Sequence, residues 1–241
     1  MNIQKIVNKN WLKIIDEIDN EIIEETERKY NELSNDKIIY PKYKKIFNFS
    51  NYTILDDIKV IIVGQDSYHG SFYNKKGIKK SQANGLSFSV PKGCKVPPSL
   101  NNIYENLKKY NHIIDKPDHG DLKYWSYQGV LLLNCSLSVE ESKPNSHKDI
   151  WKDFTDKLVE IISKKYKNLI FLLWGKEAYS KLENNIIFNN DHYFLISSHP
   201  SPFSAYNNFR NYKSFMETDH FGKVNMLLKK NNKKEIDWQI I

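Results

Sequence analysis

Four short apolar runs constrain this chain more than any other feature: "KVIIV" (59–63), "VLLLN" (130–134), "LIFLLW" (169–174) and "YFLIS" (193–197). Each is too short for a buried helix and rich in β-branched or aromatic residues, so each reads as a strand. Helical patterns lie between them. Residues 99–110 set Leu100, Ile103, Tyr104 and Leu107 on one face, and residues 149–165 do the same with Trp151, Phe154, Leu158, Ile161 and Ile162. Strands that are apolar throughout and alternate with helices must be covered on both sides. The pattern therefore predicts an α/β fold with a central, short, mostly parallel four-stranded sheet and helices on both faces.

A chain of 241 residues can bury one full-sized core, so a single domain is expected. Trp11, Ile14, Ile15, Ile18, Ile22 and Ile23 recur at helical spacing and predict a helix, in a segment 1–38, that packs on the rest. Residues 34–51 carry Pro41 and scattered aromatics without a period, and read as an irregular connection. No apolar run approaches the roughly 18 residues of a membrane span, and the N-terminus is too charged for a signal peptide. The expectation is an intracellular protein of cytoplasm or nucleus, not secreted and not in a membrane. Cys94 and Cys135 lack the paired spacing of a zinc site or disulfide framework, and no His/Asp/Glu run supplies ligands, so neither metal nor cofactor is expected. The net charge of +7 is carried by lysine, with Arg28 and Arg210 the only arginines. Lysine contacts phosphate as a point charge, which suits a nucleic-acid backbone. An A+T-rich coding bias explains the same charge, since Asn, Ile and Tyr are abundant too.

In a parallel sheet, ligands bind beyond the carboxyl ends of the strands. The segments there are "GQDSYHG" (64–70), "NCSLSVEESKPNSH" (134–147), "GKEAYSK" (175–181) and "SHPSPFSAY" (198–206), which bring Gln65, Asp66, His69, Asn134, His147 and His199 to one edge. Singly, an aspartate after a strand is most often a helix cap and a lone histidine a structural hydrogen-bonder; their convergence is what marks a site. No phosphate-binding loop ending in Gly-Lys-Ser/Thr is present, and no Gly-x-Ser-x-Gly elbow. An aspartate and a histidine without an activated hydroxyl suit attack by water on a cation-like centre. The carboxylate orients the water and stabilises the cation, while a neutral histidine holds the developing anion. Asn134, at the end of a buried run, needs partners for both its donor and its acceptor.

The blocks "GQDSYHG", "GLSFSV" (85–90), "VPPSLNNIYENL" (96–107), "GVLLLN" (129–134), "NSHKDIWKDFTD" (145–156), "FLLWG" (171–175), "HPSP" (199–202), "HFGKVN" and "IDW" follow one another as in family 1 uracil-DNA glycosylases, which the chain resembles from about residue 39 to 238. The resemblance implies a catalytic domain over 39–241 that flips deoxyuridine out of DNA and hydrolyses its N-glycosidic bond, leaving an abasic site, with no cofactor and no metal. It implies Asp66 as the carboxylate acting on water and sugar, and His199 as the neutral donor to uracil O2. Gln65 would shape the uracil pocket through its backbone, Tyr68 would exclude a 5-methyl group, Phe88 would stack on the base, and Asn134 would read its O4 and N3–H. For the DNA backbone it implies Pro97, Pro98 and Ser99 on one side, and Lys176, Ser201 and Ser204 on the other. Phe203 stands where the family has the leucine that fills the vacated stack, with packing on Tyr206 or Phe209 as the alternative. His147 resembles a second, structural histidine. The implied partners are uracil-containing DNA, single- or double-stranded, and a proteinaceous inhibitor of uracil-DNA glycosylase; a monomer is expected.

Departures from the pattern are Ser67 in place of proline, which removes a constraint on the loop around Asp66, Lys176 in place of serine, and Asn207 in place of arginine. Two insertions fall within 71–81 and between Asn208 and Asp219; the first is basic and aromatic and reads as a solvated loop, with contact to DNA through its lysines as the alternative. Because the same fold can serve as a non-catalytic DNA-binding or processivity subunit, a catalytically weak homologue is the rival reading.

Overall fold

A computed structural model describes residues 1–188 and 191–240. Strands β1 (Val60–Asp66), β2 (Val130–Ser136), β3 (Ile170–Trp174) and β4 (Tyr193–Ser197) form one sheet in the order β2-β1-β3-β4. Every neighbouring pair is parallel, with Val60 opposite both Val130 and Ile170. All five residues of β3 are buried, as are the first five of β1 and of β2. Successive side chains point to opposite faces, so both faces of the sheet are covered, as the continuous apolar runs require.

The longer helices are α1 (Asn20–Ser34), α2 (Pro98–Lys109), α3 (Lys148–Lys165), α4 (Lys176–Glu183) and α5 (His220–Lys230). Pro97 caps α2 in an extended conformation and Pro98 takes its first position, where a missing N–H is not needed. The apolar face of α3 is buried as its periodicity predicts.

The N-terminal segment differs from the single helix expected. Leu12–Ile15 makes one turn, the chain bends, and α1 starts afresh at Asn20 behind an extended Asp19. Aspartate and asparagine favour caps and turns over helix interiors, and the "DEIDN" stretch places them where apolar spacing alone would continue the helix. Burial is kept all the same: Trp11, Ile14, Ile15 and Ile18 are in the core, Trp11 Nε1 donates to the Thr53 carbonyl at 2.9 Å, and Tyr30 of α1 meets Trp151 of α3 edge-on at 6.4 Å.

Two stretches read as irregular are structured. Ile39–Tyr40 pairs antiparallel with Val139–Glu140, and Asn48–Tyr52 is a helical turn. The insertion at 71–81 is solvent-exposed over most of its length, but as a hairpin rather than an irregular loop, with Ser71–Tyr73 antiparallel to Lys79–Ser81. Asn74 Oδ1 closes its turn by accepting from the N–H groups of Lys76 and Ile78. Glu141 anchors the hairpin, accepting from Ser71 Oγ at 3.2 Å and pairing with Lys79 at 2.7 Å, while Tyr40 Oη donates to the same carboxylate. The second insertion makes a tight turn in which Arg210 pairs with Glu183 of α4 at 2.6 Å and lies 4.7 Å over the Tyr179 ring. Among the described residues, no helix is long and apolar enough to cross a membrane.

Candidate active site

The strand order puts β1 in the middle: the chain goes from β1 to one neighbour, β2, then crosses to the other, β3. A reversal of this kind opens a crevice at the carboxyl end of the central strand. Asp66 is the last residue of β1, and Asn134 lies opposite Gly64 on the β1–β2 ladder. A Cβ on Gly64 would lie 2.3 Å from Asn134 Oδ1, so only glycine leaves room for the amide. His199 comes from the edge strand and must reach back across the end of β3. Gly175, at φ +80°, lets it pass, since a Cβ there would come within 2.8 Å of the His199 Cβ.

Asp66 Oδ2 accepts the backbone N–H of Asn145 at 2.8 Å, and the Gln65 side-chain amide donates to Asn145 Oδ1 at 2.7 Å. The Gln65 side chain thereby joins the turn that holds Asp66. Burial pushes the Asp66 carboxyl above its usual pKa, opposed by the Asn145 N–H and by His69. Ser67 does not leave the loop unconstrained, as loss of the proline suggested. Its hydroxyl donates to the Leu137 carbonyl at 3.0 Å and accepts from Asn134 Nδ2 at 3.5 Å, tying the loop to β2 and orienting the amide.

The ring of Phe88 lies 5.7 Å from that of His199, tilted by 35°, and 5.6 Å from Trp174. Its backbone sits at φ +59°, a costly conformation for an aromatic residue. Neighbours on either side hold it there: Ser87 N–H donates to the Leu132 carbonyl, and Ser89 Oγ receives Asn84 Nδ2 and the Leu122 N–H. Tyr68 Oη reaches the Phe88 carbonyl at 3.4 Å, which brings the two aromatics together.

His199 Nδ1 accepts the Ser201 backbone N–H at 3.0 Å. Burial lowers its pKa to about 4. A neutral ring whose Nδ1 is an acceptor carries its proton on Nε2, so Nε2 is a donor. Ser201 Oγ and Ser204 Oγ are 2.8 Å apart, and Ser204 donates to the His199 carbonyl at 3.1 Å. Both hydroxyls thus brace the loop that holds His199. Phe203, between them, is 91% exposed and does not pack on Tyr206 or Phe209; the Phe209 ring instead meets Tyr179. Ser99 sits in the first turn of α2, and Asn102 of the same helix donates to the Pro200 carbonyl at 2.9 Å, joining the two proline loops. Lys176 is exposed at the start of α4. His147 is buried 2.8 Å from Ser138 Oγ, as a structural histidine would be, and His69 is exposed.

Gly64, Gly175, Asn102 and Asn145 escaped the sequence reading. Asn145 carried the only local signal, an asparagine in a Pro-Asn-Ser turn that adopts φ +61°. Among the described residues no group of three or more His, Cys, Asp and Glu side chains is arranged to hold a metal ion.

The family model described as the uracil DNA glycosylase superfamily matches residues 52–228. The chain belongs to the uracil-DNA glycosylase superfamily. Relatives named uracil-DNA glycosylase include one from Blochmanniella floridana, 47% identical over 205 residues with 85% of each chain covered. Another, from Bacillus cytotoxicus, is 41% identical over 239 residues and 98% of each chain. Among solved structures, a point variant of mimivirus UNG in complex with UGI superposes with a TM-score of 0.92 at 35% identity, over 100% of this chain and 92% of that one.

Proposed function

We propose that this protein is a DNA repair glycosylase that extrudes deoxyuridine from DNA and hydrolyses its N-glycosidic bond, releasing uracil and leaving an abasic site. The observation that carries the reading is the Ser201 N–H bond to His199 Nδ1 in a site where burial keeps the ring neutral. Nε2–H is thereby held as a neutral donor. As the C–N bond breaks, negative charge moves onto uracil O2, and one aimed donor of this kind is worth roughly 3–4 kcal/mol of barrier. Asp66, held by the Asn145 N–H, orients the attacking water and offsets the positive charge growing on the sugar. Water supplies the hydroxyl that bonds to the sugar carbon, and its proton balances the departing uracil anion.

Base choice rests on Asn134. With one N–H directed at Ser67, the amide keeps a second N–H for uracil O4 and its oxygen for N3–H. Cytosine presents the opposite pattern at both positions, and mismatched polar groups in a closed pocket discriminate by about 10⁴. Tyr68 blocks the 5-methyl of thymine and Phe88 stacks on the ring. Pro97, Pro98, Ser99, Lys176 and the 200–204 loop hold the flanking backbone, with the Ser201 and Ser204 hydroxyls acting through the loop they brace. A protein inhibitor of the kind bound to the mimivirus relative would cover this face. The rival of a catalytically weak homologue is not favoured, because Asp66, Asn134 and His199 are all retained.

The test is base release from oligonucleotides carrying U, T or C at one position. Uracil alone should leave, and Asp66→Asn should lower turnover on the order of 10²–10⁴-fold while DNA affinity is kept. Release of all three bases would overturn the pocket assignment, and undiminished turnover would remove Asp66 from the chemistry.

A further inference from the structure

The hairpin at 71–81 forms one wall of a cleft of about 350 Å³ that none of the proposed site residues lines. Strand alternation turns Phe72 and Lys80 toward it, and Asn74 of the turn and Ser81 at the strand end line it as well. Phe72 is paired with Lys80 in the hairpin register, so the two share a face, while Ser71, Tyr73 and Lys79 share the other; on that side Ser71 and Lys79 meet Glu141. Phe72 and Lys80 line the cleft together with Lys42, Lys45, Pro91 and Lys92. Among the described residues Lys42, Lys45 and Lys80 are in no ion pair, whereas Lys79, one residue away, is. Burial, followed by the nearby ammoniums of Lys123, Lys80 and Lys42, lowers the pKa of Lys45, and of these Lys123 is itself paired with Asp121 at 2.9 Å.

The cleft adjoins the candidate active site in the chain on two sides. Phe72 follows Tyr68 by four positions, and Pro91 follows Phe88 by three. Asn48 Nδ2, just beyond Lys45, donates to the Asn84 carbonyl at 2.7 Å and ties this wall to the segment that carries Phe88.

From these positions we propose that the cleft between the 71–81 hairpin and the 42–45 segment binds one unpaired nucleotide of the substrate DNA strand beside the extruded one, its phosphate among Lys42, Lys45 and Lys80 and its base on the Phe72 ring. The occupant is a polyanion because the wall is lysine without acid, and it carries a planar apolar part because the floor is Phe72 and Pro91. Single-stranded DNA meets both requirements, combining a basic groove for the backbone with an aromatic platform for the base. The volume lies within the ~300–1,000 Å³ typical of clefts that hold one small ligand.

The proposal rests on the glycosylase reading, and its test is confined to protein that releases uracil. KM would be measured against salt on single-stranded oligonucleotides with one deoxyuridine and either short or long flanks, with Lys42, Lys45 and Lys80 changed together to Ser. The control changes Lys229, Lys230 and Lys234 to Ser, removing equal charge near the amino end of β1, where Lys59 Nζ donates to the Lys234 carbonyl. The cleft variant should raise KM on long flanks and flatten the salt slope by about 0.7 for each phosphate that is no longer neutralised. Phe72→Ala should raise KM on long flanks by roughly tenfold, leaving the slope unchanged, because stacking releases no counterions. Equal effects from both lysine triples would reduce the cleft to part of a general field and overturn the proposal, as would identical KM changes on short and long flanks. A wild-type chain that releases no uracil would instead sink the glycosylase reading.

Discussion

At the ladder between β1 and β2, Gly64 has no side chain because the Asn134 amide occupies the space where one would be. Gly64→Ala should displace that amide by about an ångström, lowering kcat/KM for uracil release roughly 10²-fold and narrowing the preference for uracil over cytosine. Base-release kinetics check this, and an unchanged kcat/KM would mean that the amide does not touch the base. His199 gives a second expectation at this scale. Its pKa is lowered from 6.5 to about 4, so the ring remains a neutral donor well below the pH at which an ordinary imidazole charges. Asp66 must stay ionised, and its raised pKa brings its own loss up from below. The pH profile of kcat/KM should therefore pass level through pH 6.5 and fall only on the acid side, toward the value of about 4 at which His199 charges. A midpoint at 6.5 would show a charged histidine in the working enzyme.

Among the elements, the loop after β4 carries two unlike tasks. Ser201 and Ser204 spend their hydrogen bonds on fixing His199, while the Phe203 ring between them is exposed. A ring so exposed contributes little to the folded state, yet an aromatic wedge can stack where the flipped base has left a gap. Phe203→Ala should lower activity on duplex DNA by roughly tenfold or more, with little change on single strands and none in thermal stability, and Phe203→Leu should keep most of the activity. Comparing kcat/KM on the two substrates decides it; equal losses accompanied by a lower Tm would return Phe203 to ordinary loop packing. Element types were well marked in the sequence where apolar periodicity was strong, as in β1–β4 and α3. They were poorly marked where polar residues decide. The N-terminal helix breaks at "DEIDN", and the 71–81 hairpin depends on an Asn74 turn and on Glu141, which lies 70 residues from Ser71 in the chain.

Across the whole molecule, desolvation holds four histidines neutral: His147 with pKa about 4, His199 about 4, His220 about 3, and His192, lowered in the same direction. Below pH 6.5 the unfolded chain takes up protons that the folded one refuses, so the stabilisation is complete above that value and is lost as pH falls toward 4. Each histidine contributes a slope approaching 1.4 kcal/mol per pH unit in that window, opposed in part by Asp66, whose raised pKa works the other way. Denaturant unfolding between about pH 7 and pH 5 should show the loss, and a flat stability would mean that these rings are hydrated in the folded state. The sequence by itself determined the strands, the principal helices, the parallel sheet and the edge to which Asp66, Asn134 and His199 belong. Those follow from local periodicity and from polar residues placed where apolar runs end, both of which are properties of neighbours in the chain. Only the tertiary structure decided the order β2-β1-β3-β4, the passage of His199 over Gly175, the tautomer set by Ser201, the positive φ of Phe88 and the lysine cleft beside the hairpin. Each of these depends on contacts between segments distant in sequence or on a backbone angle that no residue type announces, so they exist only once the chain has closed on itself.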